Sequence, residues 1–183
     1  MAERFSVAFT GSKLEGNRLS GLVHAFGTTT RRNGEVWAFA PGSFSKILKS
    51  PVSDTVAAWN HNLDMPLGRQ SNNTLQLEET EAGLQFSCDL PDTTYANDLK
   101  VLIDRGDVNG MSFTADIGKG TVSKGPNGEI RRTFTDVRDL QDISPVTVPA
   151  FTGTVLNKFS HGFKDESIKS QTTRARARAR FGE

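Results

Sequence analysis

Apolar positions along this chain recur mostly with a period of two, the spacing of half-buried strands, and only two stretches follow helical spacing. Leu19–Phe26 and Glu35–Phe39 are short apolar-enriched runs separated by the polar turn TTTRRNG, which predicts two paired strands. PGSFSKILKSP then places Phe44, Ile47 and Leu48 at helical spacing between Pro-Gly punctuation and the Pro51 stop. That predicts a helix of about two turns. Asp54–Asn60 returns to strand character and ends in the polar cluster Asn60-His61-Asn62.

Thr74–Glu79 alternates Leu75 and Leu77 with polar residues, and Leu84–Leu90 alternates through Leu84, Phe86, Cys88 and Leu90. With the turn Glu81-Ala82-Gly83 between them they predict a hairpin. Asp92-Thr93-Thr94 offers N-cap oxygens, and YANDLKVLIDRG sets Leu99, Leu102 and Ile103 on one face before Gly106, the pattern of an amphipathic helix. Met111–Ile117 is expected as a strand after an Asp-Val-Asn-Gly turn, and GKGTVSKGPNGE as a mobile hairpin or loop. Ile130–Leu140 and Ile143–Val148 are expected as two further strands, the second closed by Pro149.

Strands outnumber helices, so the fold class is mainly β with helices (α+β). They are too many for one open sheet with a single buried face. Because exposed edges are costly, a closed or nearly closed β-barrel surrounded by helices is expected. From Leu156 onward the composition turns polar and charged and ends in RARARARFGE. A folded domain over residues 1–155 and a flexible, polar and basic tail over 156–183 follow.

Composition refines this division. The chain has 183 residues, with 22 Lys+Arg against 21 Asp+Glu, and a length that lets about 70% of the unfolded surface be buried without staples. A formal charge of +1 looks indifferent to polyanions, but residues 174–183 carry four Arg and one Glu. Residues 174–183 are therefore +3 and residues 1–173 are −2. One cysteine, Cys88, excludes an internal disulfide framework and multi-cysteine zinc sites, and its place in the alternation makes it a core thiol. No HExxH or paired-His spacing is present, Gly118-Lys119-Gly120 falls short of a phosphate loop, and no apolar run reaches membrane-spanning length. No metal, cofactor or membrane role is expected, and with no signal-peptide core at the N-terminus the protein is expected to be soluble and intracellular.

Nucleophilic hydrolysis requires a nucleophile, a base within hydrogen-bond reach and a group that orients the base. Among three histidines (His24, His61, His161), His61 is the best base, because it stands at the end of an apolar strand; the alternative is a solvated turn. Ser112 is the candidate nucleophile in Asn109-Gly110-Met111-Ser112-Phe113, where a glycine turn leads into a strand, although residue 114 is Thr and no Gly-x-Ser-x-Gly elbow is present. Asp64, Asp116, Asp136, Asp139 and Asp142 are all available as the acid, since such partners meet in space rather than in sequence. Asp142 stands out because it leads into an apolar strand.

Five ordered segments resemble the caudovirus prohead protease family, the serine peptidases that mature tailed-phage capsids. They are Gly21–Phe26 with Pro41-Gly42-Ser43-Phe44; Trp59-Asn60-His61-Asn62 with Pro66-Leu67-Gly68; and Thr74-Leu75 through Glu81-Ala82-Gly83-Leu84. Gly110-Met111-Ser112-Phe113 and LQDISPVTVPA (140–150) complete the set, which spans roughly residues 18–152. The resemblance implies a herpesvirus-assemblin-like barrel with Ser112 as nucleophile and His61 as general base. Asp142 falls where the family often carries Glu and becomes the third member, with Asp116 and His24 as rivals.

The resemblance also implies the substrates: the major capsid protein, scaffold segments and the protease itself, inside the assembling prohead in the host cytoplasm. Arg174, Arg176, Arg178 and Arg180 form a polycation suited to an acidic scaffold segment or nucleic acid. The competing classes are a catalytically inactive capsid-associated scaffold protein with the same barrel and a β-barrel binding module. Both predict that Ser112 and His61 do not touch.

Overall fold

The computed structural model describes residues 3–8 and 13–148. Strands β1 (Glu3–Ala8), β2 (Lys13–Glu15), β3 (Arg18–Ala25), β4 (Thr30–Arg32) and β5 (Glu35–Phe39) precede a short helix, α1 (Ser45–Leu48). Strands β6 (Val56–Trp59), β7 (Asn62–Arg69), β8 (Leu75–Thr80) and β9 (Gly83–Asp89) lead to α2 (Thr94–Arg105). The described chain finishes with β10 (Gly110–Ile117), β11 (Gly120–Lys124), β12 (Ile130–Phe134) and β13 (Val137–Val146).

The α2 helix forms where its caps demand it. Thr93 is extended and accepts from the Ala96 N–H, and Gly106 closes the helix at φ +82°, a conformation glycine reaches without strain. Ala96, Leu99 and Ile103 turn into the core. The α1 helix has four residues rather than the expected two turns. The Glu79 carboxylate on β8 accepts from the Gly42 N–H (2.9 Å), the Phe44 N–H (3.4 Å) and the Ser45 hydroxyl, so donors ahead of the helix are satisfied from outside.

The strands make three sheets, ordered β1-β10-β13-β6-β7, β11-β12-β5-β4 and β2-β3-β9-β8. All three enclose one core containing Phe5, Phe39, Phe113 and Phe134 together with Leu19, Leu84, Phe86 and Leu99. The expected closed barrel surrounded by helices is corrected here: among the described residues the ladders form no closed cycle, and the helices are two. The edge at β7 is instead blocked by proline and side chains. Pro66 has no N–H to offer, its carbonyl accepts from the Tyr95 hydroxyl (2.7 Å), the Leu67 carbonyl from the Cys88 thiol (3.4 Å), and the Arg69 N–H donates to Thr74 Oγ1 (2.9 Å).

A second correction concerns the last two strands, expected at 130–140 and 143–148. β12 ends at Phe134, and β13 runs unbroken from Val137 through Asp142. Its pairing with β10 shifts register between Thr114 and Ala115, where Gln141 is the extra residue. This bulge lets Leu140 and Ile143, three positions apart, both enter the core. It breaks the period-two pattern that would have shown one strand. The tail over 156–183 lies outside the described residues.

Candidate active site

β10 and β13 are antiparallel, with Ser112 opposite Ser144 and Thr114 opposite Asp142. Residues two apart share a strand face, and directly opposed residues share it across the ladder. The four side chains therefore form a polar tile, and all four residues are buried. β6 lies parallel to β13 on its other side and delivers His61 over this tile through the turn to β7.

That turn is a two-residue hairpin loop, with Trp59 paired to Asn62 and positive φ at both Asn60 (54°) and His61 (59°). Such a loop follows the right-handed twist of its strands, and Asn and His tolerate the left-handed region better than most residues. The conformation still costs about 1–2 kcal/mol per residue. It is offset by bonds to β13 and its end: Asn60 N–H to the Pro145 carbonyl (3.0 Å), His61 N–H to Ser144 Oγ (3.1 Å), and Thr147 N–H to Asn60 Oδ1 (3.3 Å).

The His61 ring stands between the other two candidates. Nε2 lies 2.6 Å from Ser112 Oγ, and Nδ1 lies 2.5 Å from Asp142 Oδ1. Ser112 Oγ also reaches the Phe5 carbonyl at 3.1 Å, and Ser144 Oγ donates to Asp142 Oδ1 at 2.8 Å. Thr114 Oγ1 sits 3.4 Å from His61 Nδ1. Burial pushes the Asp142 carboxyl upward, but hydrogen bonds from His61, Thr114 and Ser144, with the attraction of the imidazolium, hold it below its ordinary value. Asp142 is thus an ionised acceptor at neutral pH, able to keep the proton on Nδ1 and leave Nε2 free to accept from Ser112.

The rival acids stand elsewhere. Asp116, two residues beyond Thr114, is held by Arg138 at 3.0 Å. It lines a separate cavity of about 440 Å³ together with Glu35, Trp37 and Arg132. His24 is buried on the opposite face of β10, its ring 5.1 Å from Phe39 and 6.0 Å from Phe113, and among the described residues neither nitrogen has a hydrogen-bond partner. Burial lowers it to about 4, so it is a neutral core residue. Cys88 is buried, and its thiol is pushed up to about 12 by burial and by the neighbouring Asp89.

Sequence reasoning passed over Ser144 and gave Thr114 no role. Each stands two residues from a named candidate on the same strand, with an apolar residue between them, and that offset is the available signal. Among the described residues, no three His, Cys, Asp or Glu cluster closely enough to hold a metal ion, and no helix is long and apolar enough to cross a membrane.

A serine hydroxyl, an imidazole and a carboxylate in one hydrogen-bonded line, set on a mainly β scaffold, define the class of nucleophilic-serine sites. The sequence matches the family of caudovirus prohead serine proteases over residues 7–168, and the chain belongs to that family. It is 30% identical over 146 residues to the prohead protease of Enterobacteria phage HK97, an alignment covering 79% of this chain. The chain spans 60% of that relative's length. Its fold is similar to that of the bacteriophage T4 capsid assembly protease gp21, with a TM-score of 0.51 at 10% identity over 79% of this chain and 96% of the other.

Proposed function

We propose that this chain is a serine endopeptidase that cuts capsid and scaffold proteins, and itself, during prohead maturation. Ser112 is the nucleophile, His61 the general base and Asp142 the acid that orients it. The observation that carries the reading is the unbroken line from Ser112 Oγ through His61 to Asp142, with links of 2.6 and 2.5 Å. The family supplies the biological setting.

In this mechanism His61 Nε2 takes the Ser112 proton as Oγ attacks a peptide carbonyl carbon. The same proton then passes to the leaving amine as the C–N bond breaks. Water, deprotonated by His61, hydrolyses the acyl-enzyme and returns the proton to Ser112. Asp142 holds the imidazole tautomer and stabilises its charged form. Residues 1–155 act as the catalytic domain, and the basic tail over 156–183 docks on an acidic scaffold segment or nucleic acid inside the prohead, in the host cytoplasm.

The test is co-expression with a capsid precursor, with intact masses compared between the natural chain and Ser112→Ala. A mass loss that disappears with Ser112→Ala supports the reading. Cleavage that persists overturns the assignment of Ser112, and no cleavage by the natural chain favours a non-catalytic capsid-associated role.

A further inference from the structure

We propose that Ser144 is a positioning residue of the Ser112–His61–Asp142 relay, its single hydroxyl fixing both the backbone that carries the base and the carboxylate that orients it. The inference rests on the catalytic reading above. Ser144 Oγ accepts from the His61 N–H at 3.1 Å and donates to Asp142 Oδ1 at 2.8 Å. A hydroxyl has one proton, so once it accepts from a backbone donor its own proton is directed to the carboxylate, and the two bonds polarise each other.

The two bonds act on different coordinates of the same ring. The position of His61 is set by a backbone held at φ +59°, which would relax if its part-buried N–H lost its acceptor. The ring's rotation is set by the Nδ1 bond to Asp142. Ser144 joins these two determinants through one atom, whereas the Asn60 bonds to β13 and its end hold only the turn. Register explains why the residue is small: Ser144 lies directly across the ladder from Ser112, on the face that must also admit the imidazole. Alanine would fit there but bonds to neither group, and a larger polar side chain would compete with Ser112 for His61.

The probe is a fluorophosphonate, which needs no knowledge of the natural substrate. Ser112 Oγ bonds to phosphorus, fluoride leaves and the serine proton goes to His61, so the labelling rate reports activation of the nucleophile. With the full chain, Ser144→Ala is expected to label Ser112 about 10- to 100-fold more slowly. Thermal unfolding checks that the variant is folded. Ser144→Thr, which restores the hydroxyl, is expected to return the rate to within about 5-fold of the natural chain.

A double-mutant cycle separates positioning from general support of the fold. In an Asp142→Asn background, Ser144→Ala is expected to cost less than about 3-fold, because the group it acts through has already been altered. Unchanged labelling in Ser144→Ala, or an equal cost in both backgrounds, overturns the proposal while leaving the relay standing. Failure of the natural chain to label, or labelling that survives Ser112→Ala, overturns the relay and this inference with it.

Discussion

The two faces of β10 are both buried and have opposite chemistry. One carries Ser112 and Thr114, which meet His61, Asp142 and Ser144 in a network where each polar side chain has a partner. The other carries Met111, Phe113 and Ala115, packed into the core, and meets a histidine that has none among the described residues. Burial alone therefore does not decide what a titratable group becomes. Asp142 stays charged because three side chains serve it, and His24 stays neutral because its neighbours are Phe26, Phe39, Phe44 and Phe113. A buried polar group follows its hydrogen-bond supply.

If this division is right, substitutions on the two faces separate activity from stability. The largest expected effect is on the polar face: Ser112→Ala lowers hydrolysis by about 10⁵-fold or more. It changes the unfolding free energy by less than about 1.5 kcal/mol, since only one hydroxyl is lost. On the opposite face, Phe113→Ala removes a fully buried ring that stacks on Phe5 and meets Phe39 and Phe44 edge-on. It is expected to cost about 3–5 kcal/mol in denaturant unfolding. A Phe113→Ala variant as stable as the natural chain would show that the aromatic cluster is not what holds β10.

Both faces were only partly legible in the sequence. The apolar core shows as periodicity: alternation marks Phe86 and Cys88 on β9, and helical spacing marks Leu99 and Ile103 on α2. Ser112, His61 and Asp142 each stand out by local context among several alternatives, and the family resemblance assigns them joint roles; they come from different parts of the chain. Their meeting depends on the parallel pairing of β6 with β13, a long-range contact that no local pattern encodes. The bulge at Gln141 hid the continuity of β13 by shifting the period. β7 was missed because Pro66 and Gly68 interrupt it and much of it is exposed. Positive φ at Asn60 and His61 left no mark beyond the choice of Asn and His, residues equally at home in a solvated turn.

The next effect is a pH dependence that belongs to the apolar face. His24 is lowered from 6.5 to about 4 in the folded protein, so between these values the unfolded chain binds a proton that the native chain does not. Stability from this group is intact above about pH 6.5 and falls as pH drops toward 4, by up to about 3 kcal/mol. His24→Leu keeps the volume close, removes the proton site and also removes two unpartnered nitrogens from the core. Denaturant midpoints measured from pH 7.5 to about 4 are expected to fall less steeply in His24→Leu than in the natural chain. Parallel slopes would mean that His24 reaches water or a partner once the pH drops.

The smallest effect tests how finely the polar face is arranged. Thr114 lies opposite Asp142 and bonds to it, yet its 3.4 Å approach to His61 Nδ1 is long for a hydrogen bond, so its hold on the ring itself is weak. Thr114→Val preserves shape and burial while removing one of three donors that keep Asp142 ionised. Labelling of Ser112 by a fluorophosphonate is expected to slow by about 3- to 10-fold, less than for Ser144→Ala, because no backbone bond to the base is lost. A Thr114→Val loss as large as that of Ser144→Ala would show that the carboxylate's donor count, rather than the anchored turn, governs the base.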